Sequence, residues 1–170
     1  MQRYVCSDHH FGHPGMTRFT TANGSKMRPW DSLEEMHEAL VDNWNSVVTK
    51  HDRVLVIGDV VWNLATLPVL NRLRGTKTLI RGNHDVYPAR TYLEYFEDVL
   101  GVWKKDRRLF SHYPVHPDCI SYTVKQNVHG HLHEKVVLKP DGQPDPRYVN
   151  VCVERTNYTP LSWDLLPETE

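Results

Sequence analysis

The segment 53–57, RVLVI, has apolar side chains at four consecutive positions, as expected of a β-strand that is buried on both faces. It lies between segments 33–48 and 63–74, where apolar residues recur every three or four positions as on one face of a helix. Segments 3–7 and 76–81 are further strand candidates. This alternation of strands and helices predicts parallel strands that are joined by crossover helices.

Local signals set the limits of these elements. Ser32 followed by Glu35 is a capping box, which predicts the start of the first helix, and Gly75 is the C-cap of the second. A third helix is expected over residues 88–100, and Gly101 stops it. The remaining predicted elements are strands at residues 101–103, 108–111, 126–129, 136–139 and 148–153 and a short helix near residue 162.

Length and composition favour an ordinary globular protein. The 170 residues suffice for a single domain, residues 1–170, with its own core. A net charge of −1 provides no basic excess, so stable nucleic-acid binding is not expected. Neither a signal-peptide pattern nor a stretch of about 20 apolar residues is present, so no membrane association is expected. Cys6, Cys119 and Cys152 lack framework spacing, which predicts reduced thiols in or near the core and a cytoplasmic location.

Polar clusters follow five of the predicted strands. They are Asp8-x-His10, Gly58-Asp59, Gly82-Asn83-His84-Asp85, Ser111-His112 and Gly130-His131-Leu132-His133. Ligands of parallel sheets bind beyond the carboxyl ends of the strands, so these clusters are expected at one edge. Carboxylate, imidazole and amide-oxygen donors without thiolates suit Mn, Fe, Ni or Zn better than Ca.

A phosphate ester is the kind of substrate that needs such a donor set. Its negative oxygens resist attack by water, and two cations about 3.5–4 Å apart can clamp those oxygens and generate hydroxide. A histidine that is not used as a metal ligand can then protonate the leaving oxygen.

Taken singly, each cluster also has an ordinary interpretation. Asp8-x-His10 could be a polar loop after a strand, Gly58-Asp59 is also turn chemistry, and His112 alone could be a surface histidine. Only the joint occurrence of all five clusters, in this order after strands, favours a metal site.

In this order the clusters resemble the motifs of the calcineurin-like metallophosphoesterase family, and the runs SDHHFGH, LIRGNHD and SHYPV are similar to small phosphoesterases of bacteria and phages. The resemblance implies an α/β fold, a four-layer α/β/β/α sandwich of two facing mixed β-sheets, with the metal site at the C-terminal ends of strands. It also implies hydrolysis of phosphodiester or phosphomonoester bonds by hydroxide that two divalent metal ions activate. Manganese is the expected metal, with Fe, Ni, Zn or Co as alternatives.

The resemblance also implies a role for each matching residue. One metal would be held by Asp8, His10 and His133, the other by Asn83, His112 and His131, with Asp59 bridging the two. His84 would be the general acid or phosphate stabiliser, and Asp85 would orient the His84 ring.

Departures from the family pattern reduce the range of candidate substrates. Asp59 is followed by Val60-Val61-Trp62, and Asp85 by Val86, unlike protein phosphatases and diadenosine-polyphosphate hydrolases. The expected substrate is therefore a small phosphate ester, with nucleotide-like compounds among the candidates. A nuclease acting on oligonucleotides and a non-catalytic protein-binding scaffold are the alternatives.

Some residues outside the metal set are further candidates. His13 and Arg18 are candidates for a contact with phosphate or with the ligands. Trp30 and Tyr113 are candidates for stacking on a nucleobase, and packing explains them equally well. His37 is expected to be solvated.

Overall fold

A computed structural model describes residues 1–169 of the chain. The two α-helices of this part are α1, Leu33–Val47, and α2, Ala89–Tyr92. Its strands are β1 Arg3–Cys6, β2 Arg53–Ile57, β3 Thr76–Ile80, β4 Asp98–Leu100, β5 Val102–Lys105, β6 Arg108–Ser111, β7 Gln126–His129, β8 Tyr148–Asn150 and β9 Leu161–Ser162. Within these residues, no helix combines the length and the apolar character that spanning a lipid bilayer would require.

The strands form two mixed sheets. The first sheet has the order β4-β3-β2-β1-β9, in which the first four strands are parallel and β9 is antiparallel to β1. The second has the order β5-β6-β7-β8, in which only β5 is antiparallel to its neighbour. The predicted α/β sandwich with two facing mixed sheets is therefore confirmed, and so is the parallel pairing of the first three strands.

Strand β2 shows why its apolar run is uninterrupted. Val54 and Val56 belong to the core cluster that contains the buried face of α1. Leu55 and Ile57 point the other way and belong to the cluster that contains Phe110 of the second sheet. Successive side chains of a strand alternate between its faces, so a strand between a helix and a second sheet needs apolar residues at every position.

Helix α1 begins as the capping box predicts. The Ser32 hydroxyl accepts a hydrogen bond from the Glu35 amide, and the Glu35 carboxylate accepts one from the Ser32 amide. One face of the helix buries Met36, Leu40 and Trp44. The Trp44 indole nitrogen also donates to the Arg74 carbonyl at 2.9 Å, which ties the helix to the segment before β3.

The helix predicted over residues 88–100 is wrong beyond Tyr92. Only α2 is helical, and residues 98–100 form β4, which pairs in parallel with β3. Leu93, which directly follows α2, is half exposed. Pairing as an edge strand gives β3 a hydrogen-bonding partner that a helix could not provide.

Proline explains two further differences. Residues 64–72 form a 3₁₀ helix that contains Pro68, whose missing N–H and bulky ring disfavour regular α-helix. The strand predicted at residues 136–139 is absent, and only an isolated bridge joins Leu138 to Pro144. Pro140 and Pro144 flank the intervening turn and cannot donate to a longer ladder.

The C-terminal half contains less regular structure than predicted. The strand expected over residues 148–153 ends at Asn150, and near residue 162 a 3₁₀ helix of three residues stands where a helix was expected.

Two hydrogen bonds attach the loop around Val115 to the second sheet. Asn127 on this sheet accepts a hydrogen bond from the Val115 amide, and the Tyr148 hydroxyl donates to the Val115 carbonyl. The loop around Val115 therefore packs against this sheet.

The cysteines have different environments. Cys6 and Cys152 are buried and free, as predicted, but Cys119 is exposed, so its expected core position is wrong. Cys119 ends a three-residue 3₁₀ helix in the loop after β6, away from both core clusters.

Candidate metal centre

The polar clusters follow the C-terminal ends of strands in both sheets. Asp8 follows β1, Asp59 follows β2 and Asn83 follows β3 in the first sheet, while His112 follows β6 and His131 follows β7 in the second. Both sheets therefore contribute side chains to one end of the sandwich.

Main-chain hydrogen bonds hold these loops together. The Asp8 amide donates to the Gly58 carbonyl and the His10 amide to the Asp59 carbonyl, each at 3.0 Å, which continues the β1–β2 pairing past the strand ends. A parallel bridge between Ser7 and Cys152 joins the two sheets at the same end. The loops are thus fixed by backbone contacts before any ligand is considered.

The first donor group consists of Asp8, His10 and His133, whose ligand atoms lie within 4.8 Å of one another. Asp8 Oδ1 is 3.6 Å from His10 Nε2 and 3.9 Å from His133 Nε2. Asp8 Oδ1 and both ring nitrogens of His10 are buried without a hydrogen-bond partner in the described part of the chain. Buried polar atoms rarely lack partners, so these atoms are suited to bind an ion.

The other oxygen of Asp8 is fully used by the protein. Asp8 Oδ2 accepts hydrogen bonds from the Ser7 hydroxyl, from the His131 amide at 2.9 Å and from the Cys152 thiol at 3.2 Å. Three donors on Oδ2 fix the carboxylate plane and leave Oδ1 free to face the two imidazoles.

The second donor group consists of Asp59, His112 and His131, again within 4.8 Å. His112 Nδ1 donates to the Ile57 carbonyl at 2.9 Å, which leaves Nε2 as an acceptor. That nitrogen lies 3.0 Å from Asn83 Oδ1 and 3.4 Å from Asp59 Oδ2. When the ring is neutral this nitrogen carries a lone pair, and a divalent cation between it and the two oxygens would bind all three atoms.

Asp59 connects the two groups. Its Oδ2 lies 3.5 Å from His10 Nε2 and 3.4 Å from His112 Nε2, and its Oδ1 accepts a hydrogen bond from the His84 amide at 2.8 Å. In tetrahedral sites, ligand atoms about 2.1 Å from a shared ion are about 3.4 Å apart, so these spacings fit coordination.

The electrostatics also favour cations. Burial disfavours the charged form of His112, but its hydrogen bond to Asp59 and the charge of Asp8 outweigh burial and raise its pKa to about 9. For Asp8, burial raises the pKa, but the close contact with His10 and the charge of His112 outweigh burial and lower its pKa. The negative potential that attracts a proton here would also attract a divalent metal ion, so the residues present fit such an ion.

The backbone at these positions is unusual. Nine non-glycine residues of the described chain have a positive φ, and five of them are predicted ligands: Asp8 (61°), His10 (52°), Asp59 (53°), His131 (68°) and His133 (51°). Such conformations cost on the order of 1–3 kcal/mol each and persist where surrounding contacts enforce them. The strain is thus concentrated at the donor groups.

Glycines allow the loops after β2 and β3 to approach each other. Gly58 has a φ of 79°, and a Cβ atom there would lie 2.5 Å from the Gly82 amide nitrogen. A Cβ atom at Gly82 would clash with the Asp59 carboxylate. Glycine at these two positions therefore lets the two loops lie closer together than residues with a Cβ atom would allow.

His84 and Asp85 occupy different environments. The His84 side chain is 38% exposed, and its Nε2 lies 4.0 Å from Asp59 Oδ2 at the rim of the donor groups. The buried Asp85 carboxylate accepts hydrogen bonds from the amides of Asp59, Val60 and Gly82 at 2.8–3.1 Å. Asp85 therefore fixes the turns after β2 and β3, and within residues 1–169 it makes no hydrogen bond to the His84 ring that it was expected to orient.

His13 lies beside the centre, whereas Arg18 makes no hydrogen bond or salt bridge to it within the described residues. The His13 ring centroid is 5.7 Å from that of His10 and 3.7 Å from that of Trp62, and His13 Nδ1 accepts a hydrogen bond from the Gly15 amide. Arg18 is exposed, and its side chain makes no hydrogen bond within the described residues.

Two other predictions concerned residues near these loops. His37 is half-buried and accepts a hydrogen bond from the Gly12 amide at 2.8 Å, so its expected solvation is wrong. Trp30 packs against Tyr158, with ring centroids 4.7 Å apart, beside the core cluster of α1. Trp30 is therefore a packing residue.

Sequence reasoning missed a buried ion pair beneath the first donor group. Arg28 is fully buried, and its guanidinium donates to Glu154 and to the carbonyls of Asp8 and His9. Glu154 accepts a hydrogen bond from His133 Nδ1 at 3.1 Å. Arg28 and Glu154 are 126 positions apart in a loop and a 3₁₀ helix, and no sequence motif marks them.

The chain is similar in sequence or in fold to several known proteins. The chain is 30% identical over 172 residues to the uncharacterized protein MJ1445 of Methanocaldococcus jannaschii, covering 96% of this chain and 88% of that protein. The crystal structure of AQ665, a protein of unknown function from Aquifex aeolicus, superposes with a TM-score of 0.68, at 22% identity and with 95% of each chain covered. A novel archaeal phosphodiesterase has a TM-score of 0.48 at 17% identity, with 88% of this chain and 82% of that one covered.

The sequence profile of the calcineurin-like phosphoesterases matches residues 1–164, which include every proposed metal ligand. The two donor groups of Asp and His side chains could bind the metal ions that phosphate-ester hydrolysis in this family needs. The chain therefore belongs to the family of calcineurin-like phosphoesterases and is a metal-dependent hydrolase of phosphate esters.

Proposed function

We propose that the chain hydrolyses a small phosphodiester or phosphomonoester with two divalent metal ions held by the seven predicted ligands. The observation that carries this proposal is the position of Asp59 Oδ2, which faces His10 of one donor group and His112 of the other. Manganese is the expected metal, and Fe, Ni, Zn or Co would suit the same oxygen and nitrogen donors.

Protein side chains would supply the proton and the positioning that the reaction needs besides the metal ions. When bound, two divalent cations would neutralise the phosphate oxygens and activate a water molecule as the nucleophile. His84 would protonate the leaving oxygen, because its ring is partly exposed at the rim and is not one of the proposed metal ligands. Asp85 would keep Asp59 and the His84 turn in register through its three amide contacts.

Aromatic side chains beside the centre favour an ester with an aromatic or nucleobase group. The Trp62 ring is 38% exposed and lies 4.8 Å from the ring of His84, the proposed acid. Tyr113 is half exposed, and its ring centroid lies 4.4 Å from that of His131. Aromatic faces next to a leaving group stack on planar rings, which fits a nucleotide-like substrate.

A substrate panel tests this function. The metal-free protein is assayed with and without Mn, Ni or Zn on an aryl phosphomonoester, an aryl phosphodiester and cyclic nucleotides. We expect turnover to rise by about 100-fold or more when metal is added and to be lost with a chelator, because the cations supply several kcal/mol of charge stabilisation.

Other outcomes separate the alternatives. Cleavage restricted to oligonucleotides, with binding that weakens steeply as salt rises, would identify a nuclease instead. Binding of metal without turnover of any ester would contradict the enzymatic proposal and favour a scaffold.

The variant Trp62→Ala is expected to raise KM for an aryl phosphodiester by about 10-fold, because base–aromatic stacking contributes about 1–3 kcal/mol. Its kcat/KM for a methyl phosphate ester should change little, since that substrate has no ring to stack. Tyr122→Ala is the matched control, because Tyr122 is 86% exposed and precedes β7 at the end opposite His131. Equal losses on aryl and methyl esters would contradict a stacking role for Trp62.

A further inference from the structure

Arg28 is buried directly under the first donor group. Its side chain has no exposed surface, and its guanidinium donates to the Asp8 carbonyl at 2.5 Å and to the His9 carbonyl at 2.7 Å. The same guanidinium donates through Nε and a terminal nitrogen to Glu154 Oε1, at 2.9 and 2.7 Å. Arg28 thus joins the backbone of the Asp8 loop to a buried carboxylate.

Glu154 extends this connection to the third ligand of the same group. Its side chain is 3% exposed, and Oε1 also accepts a hydrogen bond from His133 Nδ1 at 3.1 Å. With Nδ1 occupied as a donor, the remaining lone pair of the His133 ring is on Nε2, which faces Asp8 Oδ1. Carboxylates that accept from the distal nitrogen of a histidine ligand fix its tautomer and orientation.

The contacts of Arg28 fall where the backbone is strained. Asp8, His10 and His133 all have φ values of 51–61°, in the left-handed region. Arg28 donates to the carbonyls of Asp8 and His9, which lie between the Asp8 and His10 side chains in the chain. Glu154 accepts a hydrogen bond from the His133 ring. Side-chain contacts of this kind can hold an unfavourable backbone conformation that the sequence would not adopt alone.

The second donor group is held by different contacts. His112 Nδ1 donates to the Ile57 carbonyl, and the loop of Asp59 is fixed by Asp85. Neither Arg28 nor Glu154 makes a hydrogen bond to Asp59, His112 or His131 within residues 1–169. The buried ion pair is therefore specific to one group.

We propose that Arg28 and Glu154 are positioning residues for the metal site formed by Asp8, His10 and His133, and that weakening this ion pair releases metal from that site alone. The inference rests on the proposed two-metal function. It adds that the two sites have separate supports, so one can lose its ion while the other keeps it.

Metal titration of the variant Glu154→Gln tests the inference. Glutamine has the shape of glutamate and can still accept from His133, but it lacks the charge that Arg28 neutralises. In calorimetric titrations of the metal-free proteins with Mn, the wild type should bind two ions. Glu154→Gln should bind one ion with unchanged affinity and the other at least about 10-fold more weakly. Titration with Co, followed by visible absorption, should show the loss of one of two spectral components.

Two further variants make the result specific. Asp145→Asn is the matched control, because Asp145 is a largely covered carboxylate that pairs with Arg147 before β8, and it should leave both sites unchanged. His133→Ala removes a ligand of the first group itself and should reproduce the loss of one site. If Glu154→Gln does not fold, Arg28→Lys is titrated instead, since it keeps the charge but cannot span both carbonyls.

The outcomes separate this inference from the proposed function. Unchanged affinity at both sites in Glu154→Gln, or equal weakening of both, would overturn the inference while the two-metal centre stands. A wild-type protein that binds fewer than two ions would overturn the proposed centre, and the inference with it.

Discussion

Asp59→Asn is expected to lower kcat/KM by about 1,000-fold or more and to reduce the metal content of the protein. Asp59 Oδ1 accepts from the His84 amide, and Oδ2 faces His10 and His112. In asparagine the carbonyl oxygen would keep the bond to the His84 amide, and the NH₂ group would take the place of Oδ2. An NH₂ group has no lone pair to offer a cation, so both sites lose their shared ligand.

Metal analysis and steady-state kinetics measure this effect together. Asp52→Asn is the matched control, because Asp52 is a carboxylate at the opposite end of β2 that accepts from Gln2 and Thr49. It should leave metal content and kcat/KM unchanged. Full activity and two bound ions in Asp59→Asn would show that the centre does not depend on a bridging carboxylate.

His84→Ala is expected to keep its metal ions but to lower kcat by about 100- to 10,000-fold on esters with poor leaving groups. The His84 amide, which alanine retains, makes the bond to Asp59, so the loop should remain in place. Only the partly exposed ring is lost. An alkyl leaving group needs a proton to depart, whereas 4-nitrophenolate does not, so the loss should shrink as the leaving group becomes more acidic.

A series of aryl and alkyl phosphodiesters with graded leaving-group pKa values measures this dependence. His51→Ala is the control, because His51 is an exposed histidine before β2, at the end of the strand remote from the centre. A uniform loss across the series would assign His84 to phosphate binding rather than to proton donation.

Sequence patterns predicted the parts of the fold that depend on local chemistry. The β2 run and the capping box at Ser32 each have a local physical cause, and each is present. The order of strands and helices also predicted the parallel pairing, since crossover connections leave few alternatives. The five polar clusters could be placed at one edge of the fold because each follows a predicted strand.

Other features depend on contacts that no local pattern encodes. Residues 98–100 have helical spacing to Leu93 and Phe96, but the open edge of β3 makes them a strand. The pairing of Arg28 with Glu154 exists only because the two sheets meet at this end of the sandwich. The hydrogen bonds of Asp85 are also tertiary, so its role could not be read from its position beside His84.

Each donor group draws side chains from both sheets. Asp8 and His10 follow a strand of the first sheet and His133 a strand of the second, while Asp59 comes from the first and His112 from the second. A bound ion would thus cross-link the two sheets, much as a disulfide links distant parts of a chain. Separating the sheets would require the ions to dissociate, so the free energy of metal binding would add to the free energy of unfolding.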